Sequence, residues 1–558
     1  MNLCYNSIIN YKRKNIVLNK KIFLFMIKVA SIFLILNFSA CAIGIEESGN
    51  IGKYEEKVVI PKYNPNDVTH VLITPSNGKW NRYVLNDPNK KHFYVKPGKY
   101  TNRVITLTVS GSKTKRRTLS LYNNNNTHPG ILVSNQVADI RIALNNASYW
   151  VFDRVATLNS IKLDQAMSIK GTSSNNIFNR MLIEKFNNGV MFFGSGNNNV
   201  IQNSSFRNMH LYAPDGVAVA LTQGKNRQTL YSIKNTKIIN NEFYNCNDSI
   251  QLVRRNRLSD GAYQDANYEG TIIDGNIMYI DNKIYTDGHG KLNAKGLYAL
   301  AENALDMKAG SDNPNKPVLV TNNIMWGYRK SDNLSGGKRS DSGAAVVIHL
   351  GVKNIKIKSN VIFDSAQGIV VGVKNRFKYA LNNAEITSNI FYDTGSYSRT
   401  NSVYGSVILW ECSNVIFKRN TLIKARVKSI WGKATIANVS VVENVIIDSA
   451  RPYNETPSKN KFNYNYYYNT FSSGYASGVH DKDIMVDSSQ IKMTDFTFKY
   501  DNFTAKPQLK KLPKIITTDK SEHYNKAGSN IRQDFFSAAS STISKKKLMI
   551  GILTFNIL

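Results

Sequence analysis

Eight times along this chain an apolar residue is followed, three positions later, by an asparagine. The apolar residues are Val200, Ile238, Ile273, Val320, Ile357, Ile386, Phe417 and Val441, and the asparagines are Asn203, Asn241, Asn276, Asn323, Asn360, Asn389, Asn420 and Asn444. In all but the first unit another large apolar residue stands two positions after the asparagine: Phe243, Met278, Met325, Ile362, Phe391, Leu422 and Ile446. The closest asparagine spacings are 24, 29 and 31 residues, and the others run from 35 to 47. A base period of about two dozen residues with insertions is the signature of a solenoid. Each unit reads as strand, sharp turn, strand, because Val, Ile and Phe alternate on either side of the corner. Asparagine tolerates the left-handed backbone that a tight corner needs. No single unit can bury its own apolar face, so the units must stack. Stacking places equivalent asparagines about 4.8 Å apart, where their amides can form a ladder. The competing fold is a β-sandwich or propeller with Asn-rich turns. Those folds join antiparallel strands through Asn-Gly or Asp-Gly hairpins, and such dipeptides are few here. The predicted fold is therefore all-β: a single-stranded right-handed parallel β-helix with an N-terminal cap and loop insertions.

The opening section, "HFYVKPGKYTNRVITLTVSG" at residues 92–111, reads as strand, Pro-Gly turn, strand. With the repeat behind it, the chain resembles the right-handed parallel β-helix proteins of the pectate-lyase-like superfamily, over about residues 90 to 470. The resemblance implies a carbohydrate-active protein of the polysaccharide-lyase kind. In such lyases a cleft on an exposed parallel sheet binds uronic acid residues. Ca²⁺, amides or cationic groups neutralise the carboxylate there, and a basic side chain takes the proton at C5.

Residues 26–41, "MIKVASIFLILNFSAC", carry a charged residue, an apolar run and a small-residue cleavage site. The cysteine directly after Ser39-Ala40 resembles a bacterial lipobox, with Phe38 in place of the usual aliphatic residue. That resemblance implies Cys41 as a lipidated residue, attachment to a membrane through this anchor, and outer-membrane sorting, since Ala42 follows it. The division expected is 1–41 signal, 42–65 tether, 66–470 β-helix and 471–558 a partly irregular C-terminal extension. Cys246 and Cys412 lie on repeats far apart in sequence and read as buried free thiols.

The formal net charge is +33 over 558 residues. A balance so basic favours a polyanionic partner. No Arg-rich helix or RNA-binding signature is present, so an acidic polysaccharide is the partner expected, and nucleic acid is not.

A second repeat superposes the coils. In each, a small residue opens an alternating strand: Gly189, Gly216, Ser249, Ala304, Ala345, Gly368, Ser406 and Ser429. Period two sends the second and fourth residues inward and the third and fifth outward. The inward pairs are Val190/Phe192, Val217/Val219, Ile250/Leu252, Leu305/Met307, Val346/Ile348, Ile369/Val371 and Val407/Leu409. The outward face is bland except at one patch. Asp306 and Lys308 share a coil, His349 takes the Lys308 position one coil on, and Trp410 follows two coils later. Two insertions, 254–300 and 327–343, are the loops expected to wall a groove above it.

Lys308 is the first candidate for the base, His349 the second, and Arg339 a further catalytic candidate in the basic 327–343 insertion. Asn303, Arg254, Arg329 and Trp410 are candidate substrate-binding residues, Trp410 as an apolar platform for a sugar ring. Asp306 and Glu302 offer hard oxygen ligands to Ca²⁺, or pair with Lys308, and they do not match one by one the Asp-rich calcium motif of any single lyase family. The leading reading is a cell-envelope polysaccharide lyase cleaving a uronate-containing glycan by β-elimination. A C5-uronate epimerase shares its first step, and a non-catalytic glycan-binding or scaffold protein is the reading from another class. Hydrolases on this fold need clustered carboxylates at the cleft, and the outer strand column offers only Asp306 with Glu302 before it.

Overall fold

The computed structural model describes residues 53–468, apart from connecting segments of which 123–140, 223–231, 254–265, 281–301, 330–342 and 396–404 are the longest, and a few two-residue strands beyond 468. The signal-like run, Cys41, Arg254 and Arg339 lie outside the described residues.

Three parallel sheets of fourteen, twelve and twelve strands build the body. One coil shows the plan. Lys237–Ile239 belongs to the first sheet, Glu242–Tyr244 to the second and Asp248–Leu252 to the third. Each strand pairs in parallel with its equivalents one coil before and one after, as Ile238 does with Ile201 and Ile273. The chain is a right-handed parallel β-helix. The helix among the described residues is a single turn, Arg82–Leu85, capped by Asn81, whose side chain accepts from the backbone N–H groups of Tyr83 and Val84.

The asparagines form one buried amide ladder at the corner between the first and second sheets. Asn323 is typical. Its Oδ1 accepts from both the backbone N–H and the Nδ2 of Asn276, at 3.0 and 2.9 Å. Its Nδ2 donates to Asn360 Oδ1 and to the carbonyl of Ile273, both at 2.9 Å. The same pattern links Asn241, Asn276, Asn323, Asn360, Asn389, Asn420 and Asn444. The carbonyl that accepts each amide belongs to the apolar repeat residue of the preceding coil: Ile238 for Asn276, Ile273 for Asn323, Val320 for Asn360. The two halves of the sequence pattern are thus one device. The apolar side chain enters the core, and its carbonyl holds the next asparagine.

Three details depart from the sequence reading. The strand pairing aligns Ile201, not Val200, with Ile238, so Ser204 occupies the ladder position and Asn203 stands one place before it. Ser204 N–H donates to Asn241 Oδ1 at 2.9 Å. This explains why the first unit alone lacked its second apolar residue, since Phe206 supplies it from the corrected register. The ladder also runs one coil further, to Asn465, which accepts from Asn444. Finally, the left-handed residue is the one before each ladder asparagine: Asn240, Gly275, Asn322, Ser359, Ser388, Arg419 and Glu443 all have φ between 53° and 65°. An L side chain pays about 1–2 kcal/mol for that conformation, and the amide network next to it offsets the cost.

Inward residues fill a continuous apolar core. Val190, Phe192, Val219, Ile250, Leu252, Leu305, Met307, Val346, Ile348, Ile369, Val371, Val407 and Leu409 all belong to it. Val217 does not. Val219 pairs with Ile250 and Leu221 with Leu252, so that coil is shifted by two residues from the expected alignment, and Leu221 takes the inward place. Cys246 and Cys412 are buried free thiols. Burial pushes both up, Cys412 to about 12, which leaves them unreactive near neutral pH. The second half of the polar 42–65 stretch is docked on the first sheet. Glu56 pairs with Lys237 at 2.7 Å and exchanges bonds with Gln202, while Val58 and Ile60 pack on Val151, Ile177 and Val200.

Removing one ladder amide strands buried donors and acceptors that water does not reach, at about 1–3 kcal/mol for each group left unpaired. Asn323→Ala should therefore lower the urea midpoint clearly. Asn383→Gly, which removes an exposed asparagine contact to Asn354 at a left-handed position that glycine adopts without strain, should leave the midpoint nearly unchanged. Equal shifts for the two variants would contradict a stabilising role for the ladder.

Candidate functional site

Seven strands of the third sheet frame the site: β1 (Val217–Thr222), β2 (Asp248–Leu252), β3 (Asn303–Met307), β4 (Ala344–Ile348), β5 (Gln367–Val371), β6 (Val407–Leu409) and β7 (Ile430–Gly432). They pair consecutively and in parallel. Just past the ends of β2 to β6 the backbone bonds continue in step. Lys308 N–H donates to the carbonyl of Leu252, His349 to Met307, Gly372 to Ile348 and Trp410 to Val371. Val253, Lys308, His349, Gly372 and Trp410 therefore form one outward column, one residue per coil, as the alignment predicts.

Asp306 sits at the centre. Its Oδ1 lies 2.7 Å from His349 Nε2. Its Oδ2 accepts from Gln251 Nε2 at 2.8 Å and from Lys308 Nζ. The side chain of Asp306 is only 5% exposed, whereas Lys308 and His349 are 23% and 21% exposed. A buried carboxylate thus carries an ammonium and an imidazole side by side at the surface. Burial by itself would raise the Asp306 carboxyl, but the His349 hydrogen bond and the nearby charges of Lys308 and His349 outweigh it and hold the group below its ordinary range. An ionised carboxylate has no proton to give, so Nε2 of His349 carries the hydrogen in this contact. In the neutral imidazole Nδ1 is then the bare nitrogen.

Beneath lies a second carboxyl that the sequence reading left out. Asp248 accepts from Asn303 Nδ2 at 3.1 Å and from Gln251 Nε2 at 3.3 Å. Burial, with the charges of Glu302 and Asp306 added, pushes Asp248 well above the ordinary carboxylate range. It was overlooked because strand alternation was counted from the small residue onward. Ser249 and Ala304 instead turn inward together with Ile250 and Leu305, all of them buried. The residue before the small one then joins the outer side, and Asp248 pairs in register with Asn303. The usable signal was Asp248 preceding Ser249 just as Asn303 precedes Ala304.

The remaining candidates fall in different places. Asn303 joins the cluster, its amide donated to Asp248. Glu302 is next to it, and its charge acts on Asp248. Trp410 stands two coils beyond His349, its ring edge-on to Trp431 with centroids 4.4 Å apart. Arg329 is a correction: it is buried and bonded to Asp364 at 2.7 Å, locking a corner instead of reaching the outer face. Both Asp306 oxygens are taken by cationic or amide donors, and among the described residues no group of three or more His, Cys, Asp and Glu side chains is gathered to hold a metal. This donor set does not fit a calcium ion. Leu350, directly after His349, has φ 65° and is the only aliphatic left-handed residue among those described, so the backbone is strained where the imidazole leaves the strand.

The class defined by this architecture is the right-handed parallel β-helix. No protein-family model and no curated protein matches the chain. Among solved structures it is similar to a PL6 family alginate lyase, AlyGC, with 12% identity and a TM-score of 0.46, covering 84% of this chain and 58% of that one. It therefore spans little more than half of that lyase. It is also similar to a PL6 alginate lyase in complex with a trisaccharide, at 12% identity and TM-score 0.44, covering 83% and 96% of the two chains. The PL6 family polysaccharide lyase Pedsa3628 from Pseudopedobacter saltans is similar at 12% identity and TM-score 0.35, covering 83% and 99%.

The two aspartates are pushed in opposite directions, so their contributions to stability have opposite pH dependence. Asp306 is depressed, and its contribution is present at neutral pH and lost as pH falls through its lowered value. Asp248 is raised, so the folded state holds its proton longer than the unfolded chain, and stability falls as pH rises from near 3.8 through the raised value. Asp248→Asn should therefore raise the urea midpoint at about pH 7 and have little effect at about pH 3, below the range in which folded and unfolded chains differ. A loss of stability at about pH 7 would reverse the assignment.

Proposed function

We propose that this protein is a polysaccharide lyase that cleaves a uronate-containing glycan by β-elimination. The observation that carries the reading is the Asp306 carboxylate holding Lys308 and His349 together on the outer face of the helix. The proton at C5 of a uronate is α to a carboxylate and becomes acidic only when the developing negative charge is stabilised. Lys308, ion-paired and at the surface, is suited to bind that carboxylate and hold the charge. His349 is suited to take the C5 proton on Nδ1, with Asp306 fixing the ring and stabilising the imidazolium that forms. The carbanion pair then becomes the C4–C5 double bond, the C4–O bond breaks, and the departing oxygen takes a proton from the imidazolium or from water. This order of roles, His349 before Lys308 as base, inverts the one favoured by sequence position. The reason is that Lys308 is committed to Asp306 as a cation. An epimerase reading shares the abstraction step and differs only in returning the proton to the opposite face.

A glycoside hydrolase is the second reading, favoured by one observation. Asp248 and Asp306 are two carboxyls joined through Gln251 and displaced in opposite directions, the pattern of an acid beside an ionised partner. The charge of +33 supports an acidic polymer as partner in either case. The lipobox-like run ending at Cys41 supports attachment to a bacterial envelope membrane, and Cys41→Ser should move the protein from the membrane to the soluble fraction.

The test is a panel of alginate, polygalacturonate and hyaluronan, followed by the ultraviolet absorbance of unsaturated uronate and by reducing ends. His349→Ala and Asp306→Asn should each lower kcat by about 10²-fold or more, and Lys308→Ala should lower kcat/KM. Reducing ends without absorbance would select the hydrolase. Neither signal, with the polymer still bound, would select a binder. Activity should withstand EDTA, and a loss restored by Ca²⁺ would return Asp306 and Glu302 to metal ligation.

A further inference from the structure

Gln251 and Asp306 are register partners on β2 and β3. Their outward column continues with Ala220 before them and with Val347, Val370 and Ile408 after them. The two polar residues therefore stand together in an apolar row. Asp306 has an amide on one flank and Val347 on the other. Its Oδ1 meets His349 on the coil after, and its Oδ2 meets Gln251 on the coil before. Lys308 also donates to Oδ2, but it belongs to the same coil as Asp306. Its flexible stem ends at the partly exposed surface, where a substrate carboxylate would compete for the ammonium. Gln251 is thus the donor that pins the carboxylate from the neighbouring coil, opposite His349.

Gln251 is itself fixed. Its Nε2 donates to Asp306 at 2.8 Å and to Asp248 at 3.3 Å. Asp248 accepts a further bond from Asn303 Nδ2 at 3.1 Å, and Asn303 is its register partner. Two rungs result, Asp248 opposite Asn303 and Gln251 opposite Asp306, each pairing a carboxyl with an amide. The sequence carries the same device: Asp-x-x-Gln at 248–251 faces Asn-x-x-Asp at 303–306. Only a group with two hydrogens on one atom can serve both carboxyls from this place. An amide nitrogen has them, whereas a hydroxyl has one and a carboxylate none.

We propose that Gln251 is a positioning residue for proton transfer at His349: its amide, anchored on Asp248, aims the Asp306 carboxylate so that Oδ1 holds the imidazole by Nε2–H. This rests on the reading of His349 as the group that takes the C5 proton, and it adds what keeps that group aligned. A misplacement of about 1 Å, even one caused far from the reacting atoms, can cost about 10²-fold in rate. Gln251 therefore acts on turnover through Asp306 and His349, without touching the sugar.

The experiment compares wild type, Gln251→Met and Gln251→Asn. The first keeps the length of the side chain and removes both donors, and the second keeps the amide on a shorter stem. Melting temperatures establish that each variant folds. Steady-state kinetics are measured on whichever of alginate, polygalacturonate and hyaluronan is cleaved. Separately, long-range proton–nitrogen NMR of the neutral imidazole shows which ring nitrogen carries the hydrogen, with no substrate present. The His349 signals are assigned by their absence in His349→Ala. Wild type should show the Nε2–H tautomer. Gln251→Met should show a mixture of both tautomers and a kcat lowered by about tenfold or more, with KM within about twofold of wild type. Gln251→Asn should shift both readouts the same way by less, and it decides the matter if Gln251→Met does not fold: wild-type values in it would then overturn the proposal. A wild-type kcat in folded Gln251→Met would overturn it, and so would a raised KM with kcat intact, which would make Gln251 a substrate ligand. If no polymer is cleaved, a tautomer mixture in Gln251→Met would support the positioning role while removing the lyase, and an unchanged tautomer would overturn the role as well.

Discussion

The buried amide ladder is the interaction on which the rest of the structure depends. A corner that turns through a left-handed residue is unfavourable, and it recurs coil after coil. It is held because each asparagine places all its polar atoms in bonds: two donated by Nδ2, two accepted by Oδ1. These groups are removed from water, so leaving any one of them unpaired is costly. Because the acceptor is always the equivalent atom one coil away, the ladder fixes the vertical register of the coils as well as the turn. A slip of one residue would break the amide chain and turn core side chains outward at once.

That fixed register makes the outer columns chemically meaningful. In a parallel sheet, residues at the same level of successive coils stand about 4.8 Å apart, close enough for direct hydrogen bonds. Lys308 and His349 meet over Asp306 for this reason, although 41 residues separate them in sequence. Burying the Asp306 charge is unfavourable in isolation. Three donors from two coils and its own strand compensate, and the result is a rigid acidic base under a basic surface. Asp248, one layer further in, accepts from the amides of Asn303 and Gln251, and burial with the charges of Glu302 and Asp306 makes it keep its proton more strongly. The two aspartates have the same chemistry and different neighbours, and only the neighbours separate them.

Much of this was legible in the sequence, and the failures have identifiable causes. The repeat gave the solenoid, the inward pairs and the Lys308–His349 adjacency, because a period-two strand locked to a corner admits few arrangements. Asn203 was misplaced by one residue because the chain carries Asn203 and Ser204 in succession, and either can fill the corner by composition alone. Val217 was misplaced by two, a shift that keeps the same face inward and so leaves the apolar pattern intact. Asp248 was missed because the backbone turns at Ser249 and sends two consecutive residues inward. Arg329 reads from sequence as a surface ligand because a cation in a polar insertion usually is one, whereas Asp364 from the next coil holds it out of solvent. Of the insertions 254–300 and 327–343 read as groove walls, 254–265, 281–300 and 330–342 lie outside the described residues, whereas Ile272–Asp274 and Ile277–Tyr279 within the first are strands of the first and second sheets, so that stretch is not one loop.

By itself the sequence determined the architecture: apolar residues at fixed distances from asparagines can be satisfied only by stacking, since no single coil buries its own face. It also determined which outward columns would hold charge. Tertiary structure decided what that charge does. It assigned both oxygens of Asp306, turned Nε2 of His349 to that carboxylate and Nδ1 away from it, and committed Lys308 to an ion pair. The physical reason is range. Burial patterns follow from neighbours along the chain, whereas protonation and hydrogen-bond geometry depend on ångström-scale distances between side chains of successive coils, which exist only once the coils are stacked.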